Sequence, residues 1–135
     1  MTVAVDTSVA VPLLVSTHTA HEQAMGWWDR RELRLCGHAV AETYAVLTRL
    51  PGDIRLGPAS AATMLESWFG EPLALLERTA HRLPELLSDA GIAGGAVYDA
   101  LVALAALDNH LPLATRDLRA RDTYARLGVE ALVLA

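Results

Sequence analysis

Two short apolar runs in this chain each lead to an aspartate, and helix-like stretches fill most of the sequence between them. Val3-Ala4-Val5 runs into Asp6, and Leu111-Pro112-Leu113-Ala114-Thr115 ends near Asp117. A short apolar run without polar alternation reads as a strand buried on both faces. Strands of that kind, alternating with helices, form a largely parallel sheet with helices on each side. Such sheets bind ligands at the carboxyl ends of their strands. Asp6 and Asp117 stand at two of those ends.

The other segments fit the same alternation. Asp6-Thr7-Ser8 offers three N-cap residue types before a helical stretch over 9–15, with Pro12 in its first turn or two. Further helices are predicted over 18–31, 38–50, 59–69, 79–90, 96–107 and 118–127, the last two short of charge and closed by Gly128 respectively. Strands are predicted over 34–36, 73–76 and 131–134, and 51–58 reads as a loop. No repeat, linker or low-complexity segment interrupts the chain, so residues 1–135 read as a single α/β domain.

Composition closes off several alternatives. All 11 basic residues are arginine, and there is no lysine. A Walker-type P-loop and a Schiff-base enzyme both need lysine, so both are excluded. The net charge of -5 argues against indiscriminate nucleic-acid binding through a basic face. It is compatible with a nucleic-acid enzyme whose clustered carboxylates hold cations. The longest apolar run, 100–107, has eight residues, far short of the ~20 that a membrane span needs. The single cysteine, Cys36, forms no internal disulfide and suits a reducing compartment. The first residues lack a basic region and meet Asp6 early, so a cytoplasmic protein without a signal peptide is expected.

Two further acids interrupt otherwise apolar helices near their starts. Glu42 is the only charge between Ala39 and Thr48, and Asp99 the only charge between Asp89 and Asp108. An acid on such a helix is at least partly buried, and burying a lone carboxylate is costly unless it is paired or bound to metal. Lysine is absent, and apart from Arg116 the arginines cluster elsewhere. A bound cation is the economical solution. Each acid alone also has a plainer reading. Asp6 and Asp117 suit helix N-caps, and Glu42 and Asp99 suit the positive ends of their helices. Taken jointly, four acids at strand ends and helix starts exceed what capping requires. Asp122 is an additional acid with no assigned role.

Other side chains carry weaker signals. His18, His21, Cys36 and His38 suggest zinc only loosely, because their spacing matches no paired structural site. Trp27-Trp28 and Trp68-Phe69 can stack on bases, but each pair lies on an apolar helix, which favours packing. Arg116, Arg119 and Arg121 flank the acidic centre and suit RNA phosphates, with exposed helix arginines as the alternative. Arg49 and Arg55 are fainter versions of the same idea.

The ordered set of acids resembles a known family. Val3-Ala4-Val5-Asp6-Thr7-Ser8 looks like the opening of a PIN domain, and Ala41-Glu42-Thr43, Tyr98-Asp99-Ala100 and Ala114-Thr115-Arg116-Asp117 look like its second, third and fourth acidic motifs. The segment from Tyr124 to Val129 also matches. The length and the Thr48-Arg49-Leu50-Pro51 turn are most similar to VapC toxins of toxin–antitoxin pairs. The resemblance covers essentially the whole chain, with no motif between Arg55 and Ser88.

That resemblance implies a three-layer α/β/α sandwich on a mostly parallel five-stranded sheet of order 3-2-1-4-5, with a ligand crevice between the strands ending at Asp6 and near Asp117. It implies a Mg²⁺- or Mn²⁺-dependent endoribonuclease acting on structured RNA such as tRNA. Asp6, Asp99 and Asp117 would hold metal, Glu42 would position water, and Ser8 and Thr115 would support them. It further implies a homodimer neutralised by a separately encoded antitoxin, which docks on the helices carrying Trp27, Trp28 and Leu47. Oxygen-only ligands agree with a hard cation. Two alternatives stand beside it. A haloacid-dehalogenase-type phosphatase needs a second Asp where this chain has Ser8, and a lysine. A catalytically silent PIN-like module would act only with its partner.

Overall fold

The computed structural model describes residues 1–134. Strand β1 (Thr2–Val5) leads into helix α1 (Thr7–Leu14), followed by α2 (His21–Trp28), β2 (Glu32–Leu35) and α3 (Gly37–Thr48). A 3₁₀ turn at Gly52–Ile54 interrupts the expected loop before α4 (Pro58–Phe69). Then come α5 (Glu77–His81), α6 (Leu83–Asp89), α7 (Ala96–Asp108), β3 (Leu113–Thr115), α8 (Leu118–Leu127) and β4 (Ala131–Val133). Among the described residues the sheet has four strands in the order β2-β1-β3-β4, and every pairing is parallel.

Both central strands are dry. Val3, Ala4 and Val5 of β1 and Leu113, Ala114 and Thr115 of β3 are fully buried. Successive strand residues point to opposite faces, so both faces of the sheet are covered. The longest apolar helix, α7, buries Ala100 and Val102 to Ala106, and packs against α3 and α8. Asp99, in the first turn of α7, feels the charges of Asp6 after β1 and Asp117 after β3.

The sheet has four strands rather than the five expected. The segment 73–76 makes a single parallel bridge, Cys36 to Leu73, on the outer side of β2. Gly37 N donates to Leu73 O, and Leu73 N donates to Leu35 O, each at 2.8 Å. The ladder goes no further for local reasons. Pro72 has no N–H to give. The Leu76 N–H goes to Asp108 Oδ2 at 2.9 Å, and Ala74 O accepts from Asn109 Nδ2 at 3.1 Å. The end of α7 thus takes the backbone groups that a strand would have paired. The bridge keeps the expected place beside β2, so the order of the elements holds.

Two predicted helices are shorter or broken. The stretch 79–90 divides into α5 and α6 because Pro84, in the first turn of α6, has no N–H to continue the α5 ladder, and Arg82 turns the chain. The stretch 18–31 begins only at His21, where Ala20 N donates to the His18 ring, and it stops at Asp29, which has φ 37°. Gly128 closes α8 as expected, at φ 83°, a conformation that glycine adopts without a Cβ clash.

Candidate active site

Asp6 sits where β1 becomes α1. Its backbone occupies the N-cap position, but its side chain caps nothing. Oδ1 accepts from Ser8 Oγ at 2.5 Å, and Oδ2 accepts from the Tyr124 hydroxyl at 2.8 Å. The capping reading therefore fails for this residue. Asp6 is only 6% exposed. Burial raises its carboxyl pKa above the ordinary value, against the opposing pull of the Ser8, Thr115 and Tyr124 hydroxyls.

Ser8 and Thr115 stitch the ends of β1 and β3 together. Ser8 Oγ lies 3.3 Å from Thr115 Oγ1 and accepts from Arg116 N at 2.8 Å. Thr115 Oγ1 accepts from Asp117 N at 3.0 Å. Pro12 contributes indirectly. Lacking an N–H, it leaves the Ser8 carbonyl without its helical donor. The Arg116 guanidinium reaches that carbonyl at 3.5 Å. Arg116 is thus tied to the scaffold, unlike Arg119 and Arg121, which are exposed on α8.

Asp117 does cap its helix. Oδ1 accepts from Arg119 N at 2.9 Å, and the Arg119 guanidinium stands 3.6 Å from the same oxygen. Glu42, exposed on α3, faces His38 Nε2 at 3.7 Å. The His38 ring stacks on Tyr98 with centroids 4.9 Å apart, which links α3 to α7 beside Asp99.

Asp99 reports on all the others. Its carboxyl pKa is raised, first by burial, then by the charges of Asp117, Glu42 and Asp6, with Arg119 opposing. Four acids from the ends of β1 and β3, from α3 and from α7 therefore share one electrostatic neighbourhood. Their donors are all oxygen, which suits a hard divalent cation, and their mutual repulsion is what a cation relieves. Among the described residues no three His, Cys, Asp or Glu side chains form a ready ligand cage. The donor chemistry is of the kind a hard cation takes, while the acids stand apart as an open cluster.

The weaker signals resolve structurally. His18 and His21 are engaged with Ala20 N and Pro12 O, and His38 with Glu42 and Tyr98. Cys36 is fully buried, and that burial, reinforced by the Asp6 charge, pushes its thiol pKa up to about 12. Trp28 packs on Trp68 with centroids 5.1 Å apart, Trp68 on Phe69 at 6.3 Å, and Arg31 lies over Trp27. Arg55 donates to Leu50 O at 2.7 Å, and Arg49 ends α3. Asp122 pairs with Arg126 at 3.0 Å on the outer face of α8.

Sequence reasoning gave no part in the acidic site to Tyr124 or Tyr98, and weighed His38 only as a loose zinc candidate. For Tyr124 a signal existed. It lies on the inward face of α8 with Ala120 and Thr123, and a buried tyrosine hydroxyl needs an acceptor. For His38 the signal was its spacing of four from Glu42 on one helix.

Comparison with known proteins shows the family. The PIN-domain sequence profile matches residues 3–126. Ribonuclease VapC27 of Mycobacterium tuberculosis (strain ATCC 25618 / H37Rv) is 60% identical over 132 residues, covering 98% of this chain and 96% of its own. FitAcB from Neisseria gonorrhoeae superposes with a TM-score of 0.67 at 20% identity, covering 98% of this chain and 96% of that one. VapBC2 from Rickettsia felis, solved bound to a DNA fragment from their promoter, superposes with a TM-score of 0.65 at 15% identity, covering 98% and 99%. The two superpositions show the shared fold, and the sequence matches show descent: the chain belongs to the PIN-domain family, among its VapC-type members.

Proposed function

We propose that this protein is a Mg²⁺- or Mn²⁺-dependent endoribonuclease, the toxin of a toxin–antitoxin pair. It hydrolyses phosphodiester bonds in structured RNA such as tRNA, and a cognate antitoxin neutralises it. The observation that carries the reading is the raised Asp99 carboxyl, on which the charges of Asp6, Glu42 and Asp117 bear from three other elements. The identity to a protein named ribonuclease VapC27 supports the activity, and the likeness to a VapBC complex supports the antitoxin. A homodimer acting in the cytoplasm completes the proposal.

Asp6, Asp99 and Asp117 would hold the cation, which when bound supplies charge neutralisation at the phosphate and a water activated for attack. The chain's own groups do the rest. Ser8 and Tyr124 hold the Asp6 carboxylate from both oxygens. Glu42, exposed on α3 beside His38, would orient the attacking water and accept its proton. Arg119, exposed beside Asp117, would bind an RNA phosphate. Water attacks phosphorus, the 3′ oxygen leaves, and the products are a 3′-hydroxyl and a 5′-phosphate.

The test compares the wild type with Asp99→Asn on total tRNA, with Mn²⁺ and then with chelator. The variant is nearly isosteric and removes one of the repelling charges, so it is expected to fold and to cut nothing. Cleavage at the wild-type rate by the purified variant overturns the assignment. An inactive wild type in Mn²⁺ favours the silent PIN-like module, for which the open acid cluster is the supporting observation.

A further inference from the structure

We infer that Tyr124 is a positioning residue of the candidate site, its buried hydroxyl fixing the plane of the Asp6 carboxylate from the opposite end of the chain. The inference rests on the nuclease reading above and extends it to a residue on α8 that touches neither substrate nor cation.

The terminal torsion of an aspartate is broad, because an sp³–sp² bond has no sharp staggered wells. One hydrogen bond on one oxygen leaves the group free to swing about that contact. A second donor on the other oxygen fixes the plane. Asp6 has that arrangement: Ser8 Oγ donates to Oδ1 at 2.5 Å, and Tyr124 donates to Oδ2 at 2.8 Å. The two donors reach it from different parts of the fold. Ser8 is two residues away and is itself bound to the end of β3. Tyr124 is 118 residues away, on a helix packed against α7, the helix that carries Asp99.

Packing alone does not call for this hydroxyl. Tyr124 is 1% exposed and among the largest fully buried side chains. Phenylalanine fills the same space without a polar atom to satisfy. The hydroxyl at this position finds its acceptor in a candidate metal-binding carboxylate, not in a backbone carbonyl. Partners of that kind orient ligands, and their loss costs about 10–100-fold in metal affinity or activity.

The test uses the full-length protein and Mn²⁺ alone. Free Mn²⁺ is followed by its electron paramagnetic resonance signal in titrations of wild type, Tyr124→Phe and Asp6→Asn, with thermal melts in chelator as the control for folding. Tyr124→Phe is expected to melt cooperatively and to bind Mn²⁺ about 10–100-fold more weakly. Asp6→Asn is expected to lose the site. Wild-type affinity in Tyr124→Phe, with binding lost in Asp6→Asn, overturns the role of Tyr124 and leaves the nuclease reading standing. Wild-type affinity in Asp6→Asn overturns Asp6 as a ligand, and the inference falls with it. A second measurement covers a variant that fails to fold. The wild-type sequence is labelled with 3-fluorotyrosine, and its three ¹⁹F signals are assigned by Tyr44→Phe and Tyr98→Phe. The Tyr124 signal should broaden with sub-stoichiometric Mn²⁺, and an unchanged signal contradicts the inference.

Discussion

Without a cation, the cluster should make the protein less stable as pH rises. Burial raises the Asp6 carboxyl, and burial followed by the charges of Asp117, Glu42 and Asp6 raises that of Asp99. A raised folded-state pKa means that the folded protein keeps a proton which the unfolded chain has released. Its stabilising effect is complete below the unfolded value of about 3.9 and is lost as pH climbs through the folded value. For one proton the slope cannot exceed about 1.36 kcal/mol per pH unit. A chain of 135 residues unfolds with an entropy of about 0.28 kcal/mol/K. One proton is therefore worth at most about 5 °C in Tm per pH unit. Solvent around the half-exposed Asp99 screens its charge and brings the real slope below that ceiling. Asp99→Asn removes this contribution and leaves that of Asp6 in place. Melting curves from pH 4 to 8 in chelator should show the wild type falling relative to Asp99→Asn, and saturating Mn²⁺ should restore the wild type preferentially, because metal binds deprotonated acids. Wild-type and variant curves that run parallel in chelator would refute the convergence of the four carboxylates.

Two further expectations separate scaffold from site. Leu47→Ala opens a cavity under α3, where Leu47 is 1% exposed, and should cost about 2–5 kcal/mol, lowering Tm by about 7–18 °C in a thermal melt. Asp122→Ala removes only an exposed pair with Arg126, so denaturant melts should move by less than about 0.5 kcal/mol and RNA cleavage should be unchanged.

The parts of this molecule that the sequence disclosed are those governed by local pattern. Val3 to Val5 and Leu113-Ala114 are apolar at consecutive positions, as burial on both faces of a sheet requires. The isolation of Glu42 and Asp99 on apolar helices singled them out, and the charges of Glu42 and Asp6 both bear on the Asp99 carboxyl. What stayed hidden depends on long-range partners. The expected strand at 73–76 has a strand-like composition, but the side chains of Asp108 and Asn109, some thirty residues later, take its backbone groups. The broken helix at Pro84 was readable from the proline itself. Asp6 and Asp117 look alike as N-caps in sequence, yet only Asp117 caps. The difference arises because Tyr124 and Ser8 claim both oxygens of Asp6, and Tyr124 is 118 residues away.

The chemistry of the cut RNA ends tests the central claim most directly. If the four carboxylates direct water at phosphorus, every product of the Mn²⁺-supported reaction carries a 5′-phosphate and a 3′-hydroxyl. Those ends accept ligation by an RNA ligase without prior repair, and the fragments disappear in Asp99→Asn. Fragments ending in a 2′,3′-cyclic phosphate, with a 5′-hydroxyl on the other side and persisting in chelator, would mean that the RNA's own 2′-hydroxyl attacks. Asp6, Glu42, Asp99 and Asp117 would then not direct the hydrolysis.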